Sequence, residues 1–591
     1  MQRQRLFQTG ESERSPVFFS PAMPLRFWPW SVHMRACIRV FVVAVSLGSC
    51  LVHGEPLPSF LNSNDAERNL PVPNLPADAY RPVTPDLQLP STTAPQVSLM
   101  MGTKVTVRKI RIEGGTVYPL EELGGAFQSM LGREVTLAEL IETTRSITQR
   151  YQTDGYLLSY AFLPPQDFDQ GLVRVVLVEG YIRDYQLEGD IGSVSAYLDK
   201  LVAKLKQERP LTRKTFERYT ALMSRVPGVT LQAKAPPPGT TDGATTLIAS
   251  AKRKPLSSSM SLAEDDGNGT QALVSVTSNA QTSMAEQLTL SGLFPPGEDN
   301  EHYYRLDYSQ YLNAEGTQLS VWGAHYRSDP DTRIPLQGGL QLKQHRENER
   351  FSIGFSHPLI AAQKEWLSAG ARLYAVNDKT RYEFVGQPVT IENRTDIRAL
   401  ALEGDWRKST DRQLRIVSAG VYQGLDAMGA RTDDNLYDLN FFRARLSGVQ
   451  SDRFFERWQG VLSGALYWSD DSLPESERAQ FGGQNFARGY PNDQASGDKG
   501  WGVAYEMNYR FNRDGKWIRV LQPYVVLDAA RTWFNELPVR GSKLSSVAGG
   551  LRFGDSRYYN IALEAAKPMG DKGLDSLNRN PRYTVSFSYQ L

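Results

Sequence analysis

From Leu256 to the end of the chain, one pattern repeats: short segments in which apolar and polar side chains alternate, separated by turn-forming stretches. His302–Tyr311, Gln318–Tyr326, Gln413–Gln423, Trp458–Trp468, Gly502–Phe511, Gln522–Trp533 and Tyr583–Leu591 are examples. Successive side chains of a strand point to opposite faces, so each segment presents one apolar and one polar face. About sixteen such segments fit between residue 256 and residue 591, the spacing of a membrane β-barrel whose strands of about ten residues join through turns and longer loops. Trp322, Trp366, Trp406, Trp458, Trp468 and Trp533 fall near segment ends, where an interfacial aromatic girdle belongs. A soluble β-sandwich or propeller is the competing reading; it predicts repeated motifs or a shorter span. A barrel of sixteen strands is wide enough to keep a lumen.

No stretch approaches the roughly 20 apolar residues of a membrane helix. The longest apolar run, Val40–Leu47, follows Arg35 and Arg39 and leads to Val52-His53-Gly54. It reads as a secretory signal, residues 1–54, with Met34 as an alternative start. Lipoprotein processing at Cys50 is a weaker alternative, because Leu47-Gly48-Ser49-Cys50 is a poor match. The two cysteines, Cys37 and Cys50, both lie inside this segment. The exported chain is therefore expected to hold no disulfide and no cysteine-bound metal. The formal net charge of +1 supplies no field for nucleic acid.

Residues 55–103 form a proline-rich, extended linker, within which Asn62–Leu70 is the stretch that could make a short plug or docking helix. Ordered structure is expected from Lys104. A strand over Val105–Ile112 precedes helices at Leu120–Leu131 and from Leu137 to Tyr151. Thr136 and Glu139 make the capping box of the second helix. Strands follow at Leu157–Leu163 and Leu172–Val178. The same β-α-α-β-β order then repeats: Tyr181–Leu187, Val194–Leu205, Arg213–Ser224, Val229–Lys234 and Thr245–Ala251. Two α/β modules, 104–180 and 181–255, are thus expected before a barrel at 256–591; one larger α+β domain is the alternative.

Three motifs carry a family resemblance. Gly171–Gly180 reads Gly-Leu-Val-Arg-Val-Val-Leu-Val-Glu-Gly; Phe486-Ala487-Arg488-Gly489-Tyr490 puts one arginine in a loop between aromatics; Leu527-Asp528 puts an aspartate in an alternating strand. Over residues 104–591 the chain resembles the outer-membrane transporters of bacterial two-partner secretion, of the haemolysin and filamentous-haemagglutinin secretion-activation type. Gly171–Gly180 is similar to the closing strand of their first polypeptide-transport-associated (POTRA) domain, and residues 486–490 to their Val-Arg-Gly-Tyr loop tip. Asp528 stands where they carry a phenylalanine-x-aspartate element, although this chain has Val526-Leu527-Asp528 and lacks the aromatic.

The resemblance implies a transmembrane barrel of about 16 antiparallel strands preceded by two POTRA domains in the periplasm, exporting a large partner exoprotein. That cargo is an adhesin, haemolysin or contact-dependent toxin. Further expected partners are the barrel-assembly machinery and outer-membrane lipid. Phe486, Arg488, Gly489 and Tyr490 are then the tip of a lumen loop. An Arg488–Asp528 ion pair is expected to anchor it, because apolar burial should be weak in a wet lumen and a guanidinium can be taken bidentately by a carboxylate. Gly489 is expected to supply the turn at the tip, and Tyr490 to pack on the wall. Cargo is expected to add as a strand to a module, around Tyr151, Leu172, Val175 and Val178. No catalytic group, metal ligand set or cofactor is expected: His302, His325, His345 and His357 sit beside no convincing serine or acid constellation. The alternatives are a barrel insertion or assembly factor of the same superfamily and, with less support, a passive porin or a barrel enzyme.

Overall fold

The computed structural model describes residues 101–590, apart from 266–268, 297–299, 331–333, 336–340, 493, 537–539, 556–557 and 574–576. The expected signal segment, nearly all of the proline-rich linker and Leu591 lie outside the described residues.

The first module contains β1 (Lys104–Thr106), β2 (Lys109–Glu113), α1 (Leu120–Gly124), β3 (Glu134–Thr136), α2 (Leu137–Thr153), β4 (Tyr160–Phe162) and β5 (Leu172–Val178). β5 is the central strand, parallel to β2 and antiparallel to β4, while β1 and β3 pair separately. The Thr136–Glu139 capping box forms as the sequence requires. The helix expected over Leu120–Leu131 is shorter: α1 gives way at Gly124-Gly125 to a 3-10 turn through Met130. Adjacent glycines weaken an α-helix through their backbone entropy.

The second module repeats the plan with β6 (Tyr181–Glu188), α3 (Ser195–Gln207), α4 (Arg213–Ser224), β7 (Val229–Lys234) and β8 (Ala244–Arg253). β8 is central, parallel to β6 and antiparallel to β7. Leu198, Leu201, Leu205, Leu222 and Leu247 fill its core.

Two residues after β8 the barrel begins. Its sixteen strands are numbered here in chain order: 256–265, 269–279, 287–294, 302–311, 318–328, 341–361, 365–384, 390–409, 413–424, 442–454, 458–468, 499–509, 520–533, 543–554, 559–568 and 582–590. Neighbours are antiparallel, and strand 16 pairs with strand 1 to close the wall. The alternation is direct in strand 9, Gln413–Gly424, where Leu414, Ile416, Ser418 and Tyr422 are buried and their neighbours point outward. Outward-facing leucines, valines and phenylalanines, such as Leu306, Phe351, Leu402, Leu466 and Leu527, are 49% or more exposed and form the apolar band.

Strands 6, 7 and 8 have 21, 20 and 20 residues, twice the expected length. Only the half of each nearer the modules alternates apolar outward. The other half carries charges on the same face, and so its sequence reads as loop. At about 3.3 Å per residue these strands are far longer than a band of about 25 Å needs, even when tilted.

The second module is fastened to the barrel through the turn 312–317 between strands 4 and 5. Glu315 accepts from Lys204 Nζ (2.9 Å) and from Tyr219 Oη (3.0 Å). Arg218 donates to the carbonyls of Glu315 (3.1 Å) and Pro358 (3.3 Å). Tyr197 stacks on Tyr311 with centroids 5.2 Å apart, and Arg225 lies over Trp366.

Candidate functional site: the lumen loop and its anchors

Strand 11 runs away from the modules, so the segment 469–498 that follows it enters the barrel from the distal end. It is a folded loop. Ala479–Phe481 pairs with Ala495–Gly497 as a short hairpin, and residues 482–494 make the tip. Phe481, Phe486, Ala487 and Tyr490 are 3% exposed or less. They join Tyr467, Ala504, Tyr524, Val526, Leu544 and Ala548 of the inner wall in one cluster. Phe486 meets Phe481 edge-on at 5.9 Å, and Phe481 meets Tyr467 at 5.8 Å. The lumen wall under the tip is therefore apolar, contrary to the expectation that burial contributes little there. A buried phenylalanine stabilises by roughly 1.5–3 kcal/mol. Val526, the position of the missing aromatic, is fully buried in this cluster, and Phe481 and Phe486 of the loop supply aromatic surface beside it.

Arg488 and Asp528 meet, but not as a side-chain pair. The Arg488 backbone N–H donates to Asp528 Oδ2 at 3.0 Å. Its guanidinium goes instead to strand 15, where Nη1 donates to Glu564 Oε2 at 2.6 Å, with Glu506 Oε2 of strand 12 at 3.9 Å. Asp528 also accepts from the Ser546 hydroxyl, and Ser546 Oγ accepts from the Gly489 N–H at 3.1 Å. The expected Arg488–Asp528 ion pair is thus corrected. Asp528 is occupied by a backbone amide and a hydroxyl, and the long arginine side chain reaches past it to a second carboxylate. Glu564 also accepts from Tyr524 Oη at 2.8 Å. Glu506 takes Arg552 bidentately at 2.6 and 2.8 Å, and Arg552 in turn covers the Tyr524 ring. The side chains of Arg488, Glu564 and Glu506 are 12%, 9% and 10% exposed. Glu506, Glu564 and Arg552 had no motif to mark them. Their signal was alternation alone: each is a charged residue on the inward phase of a membrane strand.

The turn at the tip is made by Ala487, not by Gly489. Ala487 has φ +58°, and its carbonyl accepts from the Tyr490 N–H at 3.0 Å. Left-handed backbone is uncommon outside glycine and persists where the surroundings fix it. Gly489 is required for a different reason: a Cβ there would sit 2.5 Å from Pro568 N and 2.7 Å from Lys567 C of strand 15. Tyr490 is buried on the wall; its hydroxyl donates to the Asp571 carbonyl (2.8 Å) and accepts from the Gly570 N–H (3.0 Å).

A second anchor holds the loop before its hairpin. Glu477 Oε2 is 2.8 Å from Arg443 Nη2 of strand 10 and accepts from Tyr374 Oη of strand 7 at 3.0 Å. The Arg443 and Glu477 side chains are 8% and 3% exposed. One loop is therefore held to strands 7 and 10 at its start and to strands 12–15 at its tip. Sequence reasoning missed this anchor, because a glutamate in a loop and an arginine in a strand carry no spacing signal.

The cargo-binding residues expected in the first module are corrected as well. Tyr151, Val175 and Val178 are 1% exposed or less, and β5 already has a partner on each side. Leu172, at the start of β5, pairs with Lys109. Tyr151 Oη donates to Glu179 at 2.9 Å, which also accepts from the Thr116 and Val117 backbones at 2.7 and 2.9 Å. These residues fill and fasten the module. Among the described residues, the strands paired on one side only are β2 and β4 in the first module sheet and β6 and β7 in the second.

The fold and site together define an outer-membrane β-barrel with two periplasmic POTRA modules and a loop folded into its lumen. Residues 105–180 match the POTRA domain of ShlB type. Residues 258–553 match the haemolysin secretion/activation protein model ShlB/FhaC/HecB. The chain belongs to that family, the transporters of two-partner secretion. Among curated relatives, the heme/hemopexin transporter protein HuxB of Haemophilus influenzae strain 86-028NP is 24% identical, covering 78% of this chain and 82% of its own. The outer membrane transporter CdiB of Escherichia coli is 22% identical, covering 71% and 72%. Among solved structures, CdiB from Escherichia coli superposes with a TM-score of 0.65 at 17% identity, over 84% of this chain and 93% of that one. CdiB from Acinetobacter baumannii gives 0.58 at 15% identity, over 87% and 95%.

Proposed function

We propose that this chain exports one large partner exoprotein from the periplasm to the cell surface, and that its lumen loop is the element displaced or rearranged during passage. The observation that carries this reading is the loop itself, fastened to facing parts of the wall by two separate buried ion-pair sets. A passive porin needs no such crossing element and no periplasmic modules. Cargo capture is assigned to the edge strands β2, β6 and β7, whose free edges can accept an extended chain without demanding one sequence; β4 is excluded because Thr148 of α2 bonds both the N–H and the carbonyl of Ala161. β6 carries exposed Arg183 and Asp184 at a bulge, a feature that discourages unselective pairing, and so β7 is the favoured edge. The cargo is of the adhesin, haemolysin or contact-dependent toxin kind. The barrel-assembly machinery inserts the chain, and outer-membrane lipid surrounds it. We assign it no catalytic role.

The test is co-expression with candidate large exported β-helical proteins, followed by measurement of each in the medium. Release that depends on the chain supports the proposal. Periplasmic accumulation irrespective of the chain refutes it, and a general defect in barrel insertion when the chain is removed would favour an assembly factor instead.

A further inference from the structure

The outer face of strands 3–7 carries two adjacent rows of opposite character. The first row, aligned across the strands by backbone pairing, is Leu290, Leu306, Gly323, Phe351 and Ala375. Leu290, Leu306 and Phe351 are half exposed or more, whereas Gly323 between the last two has no side chain. The result is a groove of about 450 Å³ on the membrane-facing surface. The next row toward the distal end is Tyr304, His325, Glu349 and Asn377. These are the first polar side chains beyond the apolar band, and His325, Glu349 and Asn377 border the same groove.

At that border Glu347, one step further along strand 6, converges with Glu349 and His325. The three ligand atoms all lie within 4.8 Å of one another. Two carboxylates this close repel each other unless a cation lies between them. The basic residues opposite Glu347 in the sheet are engaged elsewhere: Arg327 with Asp329 at 2.7 Å, and Lys379 with Glu392 at 2.8 Å. Among the described residues, Glu349 has His325 at 3.8 Å and the Asn377 amide at 3.5 Å, while Arg394, the further positive charge that acts on it, is bonded to Asp396 at 2.9 Å. Separations up to 4.8 Å suit one ion at about 2.3–2.6 Å from each ligand. One imidazole and two carboxylates form a mixed donor set for a divalent metal, and three protein ligands leave coordination positions open.

We propose that His325, Glu347 and Glu349 hold a divalent cation at the headgroup level of the outer leaflet. The open positions of the cation take the phosphate of a membrane lipid whose acyl chain lies in the groove at Gly323. Geometry favours a lipid over free phosphate: the groove continues from the ligand set into the apolar band, where no water can fill it. The carboxylates alone would repel a phosphate, so the cation is what makes the headgroup fit. A sequence scan misses the set, because His325 lies more than twenty residues from either glutamate and register alone brings them together.

The test uses the full-length protein purified in mild detergent, with Mn2+ as the metal probe read by electron paramagnetic resonance. The wild type should bind one Mn2+ per chain. E347Q/E349Q and H325A should each weaken that binding at least tenfold, while G323L should leave it unchanged. Phospholipid retained after exposure to vesicles of lipids with phosphorylated headgroups, counted by native mass spectrometry, should fall about tenfold with EDTA, with E347Q/E349Q and with G323L. A Cβ at Gly323 meets the Arg350 carbonyl oxygen at 3.7 Å, an ordinary contact, so the backbone there accepts a side chain. A375L fills the same groove from the neighbouring strand and serves if G323L fails to insert. Mn2+ binding unchanged in E347Q/E349Q overturns the cation site. Lipid retention indifferent to both groove-filling variants, or inorganic phosphate occupying the metal to the exclusion of lipid, overturns the lipid assignment.

Discussion

Arg488 acts through two separate parts of itself. Its backbone N–H is held by Asp528, and its guanidinium by Glu564. The two contacts should respond differently to substitution. Arg488→Ala keeps the amide bond to Asp528 but leaves the buried Glu564 without its guanidinium and, among the described residues, with the Tyr524 hydroxyl, and breaking a buried pair from one side costs about 3–5 kcal/mol. In a double-mutant cycle, Arg488→Ala and Glu564→Ala should show a coupling of about 1–3 kcal/mol, whereas Arg488→Ala and Asp528→Ala, whose side chains make no direct hydrogen bond, should couple more weakly. Denaturant unfolding in detergent micelles measures both; strong coupling to Asp528 and none to Glu564 would restore the simpler pair. Gly489→Ala should displace the tip, since its Cβ would press on the backbone of strand 15, and single-channel conductance should rise. Unchanged conductance would mean that the wall yields instead. The loop tip was legible because a lone arginine flanked by glycine and aromatics is an unusual local string. Its true partner was not, because Glu564 is 76 residues away and only the barrel register brings it near.

At the scale of elements, Glu179 closes the first module. Burial raises its pKa, but donors from Thr116, Val117 and Tyr151 outweigh that and hold it below the usual carboxylate value. A lowered folded-state pKa means stability that is present above the unfolded-state value, about 4.3, and lost as pH falls through the folded-state value. The first module should therefore loosen on acidification below about pH 4. Glu179→Gln should flatten that dependence, as hydrogen exchange across residues 104–180 between pH 3 and 6 would record; an unaltered acid profile would remove Glu179 as its source. Val175→Ala should act in the same place, destabilising the module by about 1–3 kcal/mol without a selective loss of cargo capture. The β-α-α-β-β order was legible because helical and strand periodicities are strong in short modules. The inner position of β5 was not, since a strand buried on both faces and one offered to a partner can share the same apolar residues. The doubled length of strands 6–8 was hidden for a related reason: beyond the membrane, strand residues no longer alternate by hydrophobicity.

At the scale of the whole molecule, the lumen loop is packed inside the barrel and the second module rests on barrel turns. The second module is fastened to the turn 312–317 by Glu315, which fixes it at the module-side end of the barrel. The sixteen strands could be counted in the sequence because each membrane crossing needs its own alternating segment. The crossing of the lumen by the loop could not be read there, because it depends on Glu477 meeting Arg443 and Tyr374 from different strands. The most direct test is secretion of the partner exoprotein by cells carrying wild-type chain, no chain, or Arg488→Ala at equal barrel abundance. The account predicts release into the medium with the wild type, none without the chain, and at least a tenfold fall with Arg488→Ala. Equal release in all three would contradict it.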